Sequence, residues 1–341
     1  MKKRVLKIIF FIIALISVLL ILFFLIRYKG EKSLQKSLSE EKTEDVKENN
    51  VEWEGFQHTL EYNGKTYQYR KNIINILCIG VDKEEVMSER DDDGGSVGQS
   101  DAVLLVSLDL DKSDIRIFAI PRDTMVNIVA CDENGNEMGA FKGQLALQYA
   151  YADGQEKSCK LVAQQVLDIF KNQIQLNGYV AMNLSCISAV NDAVGGVTVW
   201  MDDDYTLYNP KFEKGVTVHL QGEEAQEYVQ GRDIRVSGSA LTRIGRQKQY
   251  LTAFIEQMKK ALKKNPVLTV TLMKELSDNM ITDISADEVV YLTTEVLNCN
   301  FDEKNMQSLK GEIQMENEYE EYYLDETALQ QTILDYFYEE Q

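Results

Sequence analysis

Two charged residues, Asp101 and Arg122, lie at the ends of predicted strands, where α/β proteins place their ligands. The segment Ala102–Leu110 is apolar and rich in β-branched residues, and Asp114–Ile120 alternates polar with apolar residues, so the sequence predicts a hairpin. Antiparallel pairing brings the start of the first strand and the end of the second to one edge of the sheet. Pro121 ends the second strand because it lacks the N–H that a continuing ladder needs. The alternative is an exposed turn with ordinary surface charges.

A second carboxylate, Asp82, follows the apolar run Ile73–Gly80, which reads as a central strand. The acidic, glycine-rich segment Lys83–Gln99 then leads to Asp101 and has no core pattern. Two carboxylates at adjacent strand ends could hold a hard cation such as Mg²⁺. The alternative is a pair of solvated aspartates, and the motif alone does not decide between them.

Four arginines lie within fifteen residues of a strongly acidic chain: Arg232, Arg235, Arg243 and Arg246. The formal net charge is -19, from 36 basic and 55 acidic residues, so the overall charge argues against a nucleic-acid partner. A local positive cluster is more informative on such an acidic chain than it would be on a basic one. The alternative is a helix face whose arginines are paired in salt bridges.

The N-terminus predicts a membrane anchor. Ile8–Ile26 is nineteen residues without a charge, long enough to cross the ~30 Å hydrocarbon core, and four basic residues precede it. The basic tail favours a cytoplasmic N-terminus at residues 1–7, and no small-residue cleavage site follows the span. We therefore expect an uncleaved single-pass anchor, a polar linker over residues 27–50, and a domain outside the cell.

The remaining chain predicts a lead-in hairpin over residues 51–71, with a tight turn at Asn63-Gly64, and one domain over residues 72–341. Strands and helices alternate along that domain, which indicates an α/β or α+β sandwich with a central mixed sheet flanked by helices. The pattern also predicts a loop over Val129–Gly139, a helix over Phe141–Ala152 and a helix capped by Ser185.

Five cysteines are an odd number for a secreted protein. Cys131 and Cys159 lie in or beside polar loops and could form a disulfide, although the sequence cannot fix that connectivity. No CxxC motif is present, and His58 and His219 are the only histidines, so a zinc site is not expected.

Several segments together resemble the LytR-CpsA-Psr family. They are, in order, NILCIGVD, SDAVLLVSLDLDKSDIRIFAIPRDTMV, NDAVGGVTV, AQEYVQGRDIR and RIGRQKQYL. The resemblance covers roughly Asn72–Ala261 and continues more weakly in SLKGEI and EYYLDETALQQTILDYFYEE. It implies a membrane-anchored phosphotransferase that moves a glycopolymer from an undecaprenyl diphosphate carrier to peptidoglycan, with Mg²⁺ beside the lipid diphosphate.

The resemblance also implies roles for single residues of this chain. Asp82 and Asp101 match the metal-side aspartates, and Asp101 and Arg122 match the catalytic pair. The residues that match diphosphate-binding positions are Arg122, Arg232, Arg243, Arg246 and Gln247. These residue types suit the chemistry, because arginine forks bind phosphate oxygens bidentately and stay charged, while a bridging cation neutralises charge on the leaving phosphate.

This chain departs from the family pattern at three places. Gln230 replaces the first arginine of an R-x-R pair, Gln144 replaces a lysine, and SGSALTRIGRQ lacks a common aspartate. Fewer cations should weaken diphosphate binding, because each charge-assisted hydrogen bond contributes about 1.5–3 kcal/mol. Two other functions therefore stay open: a catalytically weak sensor or scaffold that binds polyprenyl phosphates, and a hydrolase that cleaves the lipid diphosphate.

Overall fold

The computed structural model describes residues 21–34, 56–87, 97–132, 135–231, 239–316 and 319–341. The helices are α1 (21–34), α2 (Leu145–Ala150), α3 (Glu156–Ile169), α4 (Ser185–Ala193), α5 (Glu223–Gln230), α6 (Ser239–Lys264), α7 (Leu268–Glu275), α8 (Ala286–Asn298) and α9 (Glu326–Phe337). The strands are β1 (Thr59–Tyr62), β2 (Lys65–Tyr69), β3 (Ile73–Val81), β4 (Ser100–Asp109), β5 (Asp114–Ile120), β6 (Met125–Cys131), β7 (Glu137–Gln144), β8 (Gly178–Asn183), β9 (Val197–Trp200), β10 (Thr217–Leu220), β11 (Met280–Thr282), β12 (Met306–Ser308), β13 (Gly311–Glu316), β14 (Tyr319–Leu324) and β15 (Tyr338–Glu340).

A mixed sheet of six strands forms the centre of the domain, in the order β11-β8-β3-β4-β5-β12. β4 pairs antiparallel with both β3 and β5, which confirms the predicted hairpin. β8 runs parallel to β3, and β12 runs parallel to β5. The apolar run of β3 is buried along most of its length, as expected for a strand covered on both faces. The predicted α/β class and central mixed sheet are confirmed.

Helices cover both faces of this sheet. On one face, α2, α3 and α9 pack on a core that includes Leu77 and Phe118. On the other face, α8 and the end of α1 pack around Ile76, Ile115 and Tyr291. A separate apolar cluster joins α4, α5, α6 and α7 to the β9–β10 hairpin. The end of the sheet at which β3 and β5 finish is therefore supported by apolar cores on both faces.

The two ends of the domain meet in a small three-stranded sheet. β1 and β2 form the predicted lead-in hairpin, and Asn63 and Gly64 both adopt positive φ, at 50° and 75°, as a tight two-residue turn requires. β15 adds to the other side of β2. The lead-in hairpin is therefore packed on the domain, as predicted, and the C-terminal strand completes it.

Three local predictions were wrong in whole or in part. The predicted loop Val129–Gly139 contains the paired ends of β6 and β7. The helix predicted over Phe141–Ala152 is confirmed for Leu145–Ala150, which is α2, whereas Phe141–Gln144 is strand. Six consecutive residues at the start of β7 are exposed, so this strand carries no burial pattern that sequence could reveal. Ser185 does not cap α4 but is its first residue, and its hydroxyl donates to Asn183 Oδ1 at 2.7 Å.

All five cysteines are free thiols, so Cys131 and Cys159 do not form the disulfide considered from the sequence. Burial raises the pKa of the Cys131 thiol, and it also raises that of Cys159. Thiols that stay protonated are poor nucleophiles, and these side chains act as small core residues.

Most of the predicted anchor Ile8–Ile26 lies outside the described residues. Within the part of the chain that the structure describes, no helix is long and apolar enough to cross a bilayer. Residues 27–34, predicted as the beginning of a polar linker, belong to α1, and Leu34 is buried against the domain.

Candidate diphosphate and metal site

The predicted edge of the sheet brings Asp101 and Arg122 into direct contact. Asp101 lies near the start of β4, Arg122 follows β5, and Arg122 Nη1 donates to Asp101 Oδ1 in an ion pair. Arg122 Nη2 donates to Gln99 Oε1 at 3.2 Å, and Nε lies 3.7 Å from Asp123 Oδ1. Both side chains of the ion pair are about one third exposed, at 29% and 31%. The guanidinium is thus oriented by several oxygens and open to a ligand.

Asp82 belongs to the same group because residue 99 links it to Asp101. The Asp82 N–H donates to the Gln99 carbonyl at 3.0 Å, and Asp82 Oδ1 accepts the Gln99 N–H at 2.5 Å. Gly98 permits this approach with a φ of +85°, where a Cβ would lie 2.6 Å from Val81 Cγ1. The two aspartates predicted from the strand ends are therefore brought together, and Gln99 was the member that sequence reasoning missed.

The pKa of Asp101 is raised above its ordinary value, and burial is the main cause. The negative charge of Asp82 raises it further, whereas the charges of Arg122 and Arg243 and the hydrogen bond from Arg122 lower it. Two carboxylates and two guanidiniums thus influence one another at this edge. Arg243, from the first half of α6, is half-buried, and of the two arginines of the predicted cluster that the structure describes it is the one whose charge acts on Asp101.

Arg246 and Gln247 hydrogen-bond to backbone carbonyls of α5. Arg246 is 2% exposed, its Nε donates to the Tyr228 carbonyl at 2.9 Å, and Nη2 donates to the Gly231 carbonyl. Its guanidinium lies 4.7 Å from the ring centres of both Tyr205 and Tyr208. Gln247 Nε2 donates to the Val229 carbonyl at 3.2 Å. These contacts join α6 to the end of α5. The diphosphate-binding roles predicted for Arg246 and Gln247 stay predictions.

Arg232 lies outside the described residues, so its predicted role stays a prediction.

The backbone around Arg122 is held from two sides. The Ala146 N–H at the start of α2 donates to the Arg122 carbonyl at 2.9 Å, and the Tyr322 N–H of β14 donates to the Asp123 carbonyl at 2.9 Å. The contribution of β14 was not predicted, because a pairing between such distant segments leaves no local sequence signal.

A family model described as "LytR_cpsA_psr family" matches residues 22–335 of the chain. This chain belongs to the LytR_cpsA_psr family. A relative in Oceanobacillus iheyensis, polyisoprenyl-teichoic acid–peptidoglycan teichoic acid transferase TagU, is 29% identical over 227 residues, which are 66% of this chain and 63% of that protein. The TagU of Bacillus mycoides is 25% identical over 305 residues, covering 88% of this chain and 85% of the relative.

Solved structures share the fold. The crystal structure of Bacillus subtilis TagV superposes with a TM-score of 0.58 and 25% identity, over 78% of this chain and 97% of that chain. A structure of TagT bound to LIIa-WTA gives a TM-score of 0.58 and 22% identity, over 78% and 89% of the two chains. The second likeness shows a common fold for this LytR_cpsA_psr protein and TagT.

Gln144 and Gln230 are the two glutamines at positions where the resemblance led us to expect cations. Gln144 Nε2 donates to the Glu320 carbonyl of β14 at 2.8 Å, and Lys142, two residues earlier, lies 5.0 Å from the ring centre of Tyr323. Gln230 is the last residue of α5. In this LytR_cpsA_psr chain, therefore, the side chain at position 144 helps to hold the β13–β14 hairpin.

The donor set around Asp82 and Asp101 fits Mg²⁺ only together with a ligand. Among the described residues, no group of three or more His, Cys, Asp or Glu side chains could hold a metal ion. Mg²⁺ keeps several waters and is commonly bound by one or two carboxylates plus substrate phosphates. Asp82 and Asp101 supply two carboxylates side by side, so a diphosphate and water would have to complete the coordination.

Proposed function

We propose that this protein is a membrane-anchored extracellular phosphotransferase that moves a glycopolymer from an undecaprenyl diphosphate carrier to peptidoglycan. The observation that carries the proposal is the Arg122–Asp101 ion pair beside Asp82 at the open end of the central sheet. The names of the TagU and TagV relatives, which describe transfer of teichoic acid to peptidoglycan, support the reaction class.

In this proposal the Arg122 guanidinium binds oxygens of the diphosphate. Its Nη atoms already point to the Asp101 carboxylate and the Gln99 amide, so a phosphate can replace or share partners whose geometry is set beforehand. Arg243 adds a second positive charge from α6. Arginine suits both positions, since its planar fork matches two phosphate oxygens at once.

The transfer forms one bond and breaks another at the same phosphorus. A hydroxyl oxygen of the wall acceptor bonds to the phosphorus that carries the polymer and loses its proton to solvent, while the bond to the prenyl phosphate breaks. Mg²⁺ held by Asp82 and Asp101 would supply charge neutralisation on the departing phosphate. Asp101 and Gln99 hold the Arg122 guanidinium in place, and Arg122 in turn orients the diphosphate during the transfer.

A second candidate function, binding of polyprenyl phosphates without turnover, has a specific observation in its favour. Gln144 is neutral and its side chain is engaged with Glu320, so the position of the family lysine supplies no charge to a ligand. Arg246 is likewise committed to carbonyls in the interior. Both features lower the positive charge available to a diphosphate.

The test uses the full chain in detergent with a radiolabelled undecaprenyl-diphosphate-linked glycan, peptidoglycan and Mg²⁺. Label appearing in peptidoglycan, lost on addition of EDTA and in Asp101→Asn, is the expected result. Release of prenyl phosphate without transfer to peptidoglycan would show hydrolysis. Retention of the intact lipid without either product would establish the binding function and contradict the proposal.

The proposed location has its own test. Protease added to intact protoplasts should remove the domain and leave only the N-terminal segment, because the basic residues before Ile8 favour the cytoplasm. Complete protection of the domain would contradict an extracellular site and a wall acceptor together.

A further inference from the structure

Ser100 is the first residue of β4, directly before Asp101, and its side chain is fully buried. We propose that Ser100 is a positioning residue, whose hydroxyl holds the start of α2 so that α2 holds the backbone of Arg122 beside Asp101. The inference rests on the proposed function, because it concerns how the guanidinium assigned to the diphosphate is placed. It is carried by hydrogen bonds that join β4, α2 and the segment that follows β5.

The first turn of α2 is capped by backbone carbonyls of the segment that follows β5. The first N–H groups of a helix have no partner within the helix, and Gln144, which precedes α2, provides no side-chain cap. The Leu145 N–H donates instead to the Thr124 carbonyl at 2.8 Å, and the next N–H, of Ala146, donates to the Arg122 carbonyl at 2.9 Å. Both helix residues are fully buried, so water cannot take the place of either carbonyl. The position of this turn therefore sets the position of the Arg122 backbone.

The Ser100 hydroxyl holds the same turn from β4. Its Oγ lies 3.2 Å from the Ala146 carbonyl oxygen and 3.3 Å from the Leu145 carbonyl oxygen, so the two acceptors share one proton. The backbone of Ser100 is itself fixed, because it pairs with Val81 at the end of β3. The serine thus ties the strand that carries Asp101 to the first turn of α2.

The rest of α2 has supports of its own. The buried Gln148 acts like a neighbouring strand, since its Oε1 accepts the Val129 N–H at 2.9 Å and its Nε2 donates to the Val129 carbonyl at 3.0 Å. Near the other end of the helix, the hydroxyl of the buried Ser158 donates to the Tyr149 carbonyl at 2.7 Å. Loss of the Ser100 hydroxyl should therefore release the first turn without releasing the helix. Ser158 is the matched control, a second buried serine bonded to a carbonyl of α2.

A small shift of the Arg122 backbone changes where its guanidinium meets a ligand. The guanidinium is held by Asp101 and Gln99 at the start of β4, whereas the backbone of the same residue is held by α2. Ser100 joins these two supports, so it fixes the distance between them. A displacement of about 1 Å in an active site can reduce turnover by about 10²-fold, even when the altered residue does not touch the substrate.

The experiment compares Ser100→Ala with Ser158→Ala in the full-length protein in detergent. Calorimetric titration with inorganic pyrophosphate gives the affinity for the anion, and the radiolabelled lipid-linked glycan with Mg²⁺ gives kcat/KM. We expect Ser100→Ala to bind pyrophosphate more weakly and to lose about 10- to 10²-fold in kcat/KM. Ser158→Ala should lower the melting temperature but keep the wild-type affinity and kcat/KM.

A double substitution shows whether the serine acts through Arg122. In Arg122→Lys, the further loss of pyrophosphate affinity caused by Ser100→Ala should be much smaller, because the fork that Ser100 positions is already absent. An equal loss in both backgrounds would overturn the proposal. Ser100→Cys keeps a weak donor on a side chain of similar shape and should give intermediate values. It takes the place of Ser100→Ala in each comparison if the alanine variant does not fold.

Amide hydrogen exchange tests the positioning role without a ligand. Exchange at Leu145 and Ala146, followed by mass spectrometry with fragmentation that resolves single amides, should become faster in Ser100→Ala and stay unchanged in Ser158→Ala. Unchanged exchange in Ser100→Ala would overturn the proposal, as would wild-type pyrophosphate affinity and turnover in that variant. If the unsubstituted chain neither binds pyrophosphate nor transfers the glycan, the proposed function is contradicted, and the exchange result alone then decides the role of Ser100.

Discussion

At the scale of single residues, the candidate site depends on a guanidinium that is oriented before any ligand arrives. Arg122 contacts Asp101 and Gln99 through separate nitrogens, and its backbone carbonyl accepts from the first turn of α2. A group held in this way needs little rearrangement to meet a charge that develops during phosphoryl transfer. The shape of the fork, and not only its charge, should therefore matter.

Arg122→Lys tests this point. A lysine keeps the charge but cannot make two parallel hydrogen bonds, so we expect turnover to fall by about 10²–10³. The thermal stabilisation that pyrophosphate or a prenyl diphosphate gives should also shrink. The control is Arg116→Lys, which lies on β5 beside Asp114, at the end of the strand far from Arg122. Wild-type turnover in Arg122→Lys would show that this arginine is a surface salt-bridge residue.

The raised pKa of Asp101 leads to a pH dependence. At Mg²⁺ concentrations below saturation, protons compete with the metal for the Asp101 carboxylate, so activity should fall as pH decreases through the raised pKa of this group. Asp82→Asn should move the midpoint of any residual activity to lower pH, since the Asp82 charge helps to raise the pKa. The pH–rate profiles of the wild type and of Asp82→Asn measure this midpoint. An unshifted midpoint would show that the Asp82 charge does not act on the Asp101 carboxylate.

The contribution of Asp101 to the free energy of unfolding should depend on pH in the opposite direction from activity. Because the folded state raises the pKa of Asp101, its contribution favours folding below the unfolded pKa and is lost as pH rises through the folded pKa. Comparing the unfolding free energies of wild type and Asp101→Asn across this range isolates the effect.

At the scale of elements, two arginines on α6 have separate tasks. Arg243 acts on the electrostatics of Asp101, whereas Arg246 ties α6 to the end of α5 through the Tyr228 and Gly231 carbonyls. The rings of Tyr205 and Tyr208 enclose the Arg246 guanidinium. The interior arginine positions the helix on which the other arginine is presented.

Paired lysine substitutions should separate these tasks. Arg246→Lys should lower the free energy of unfolding by about 1.5–3 kcal/mol, the worth of charge-assisted bonds that lysine cannot reproduce together. Its diphosphate-induced thermal shift should persist. Arg243→Lys should show the reverse, with near-normal stability and a smaller shift. Urea denaturation measures the free energy of unfolding, and thermal scans with pyrophosphate measure the ligand-induced shift. Loss of that shift in an Arg246→Lys variant of normal stability would show that Arg246 binds the diphosphate.

At the scale of the whole molecule, the lead-in hairpin and the last strand pack together, with β15 paired to β2. Tyr338 of β15 is 4% exposed, and its hydroxyl donates to the Gln57 carbonyl at 2.6 Å and the Gln173 carbonyl at 3.0 Å. Its ring packs edge-on against Tyr69, with ring centres 5.2 Å apart. One C-terminal side chain thus joins the lead-in segment, the segment after α3 and the small sheet.

Tyr338→Phe should cost about 0.5–1.5 kcal/mol of unfolding free energy, because the single hydroxyl proton that two partly exposed carbonyls share is lost. Tyr338→Ala should cost about 3–5 kcal/mol, as for other large aromatic truncations. Tyr151→Phe is the control, since Tyr151 is 38% exposed and should change stability by less than about 0.5 kcal/mol. Urea titrations of the three variants provide the values, and a neutral Tyr338→Ala would mean that β15 does not close the domain.

The sequence by itself determined the features that depend on local patterns. Alternation and apolar runs predicted β3, β4 and β5, and strand pairing then required Asp101 and Arg122 to share an edge. The Asn-Gly turn of the lead-in hairpin was likewise local. These predictions succeeded because a two-residue period and a turn type are properties of neighbouring residues.

The tertiary structure alone decided what depends on distant partners. Arg243 and Arg246 are three residues apart on one helix, and only the packing of α5 and two tyrosines determines which of them is interior. β7 is exposed along most of its length, so its pairing with β6 left no burial pattern to read. Gly30 looked like a linker residue until α8 was placed beside it. In each case the deciding contact joins segments whose proximity is set by the folded chain and not by the spacing of residue types.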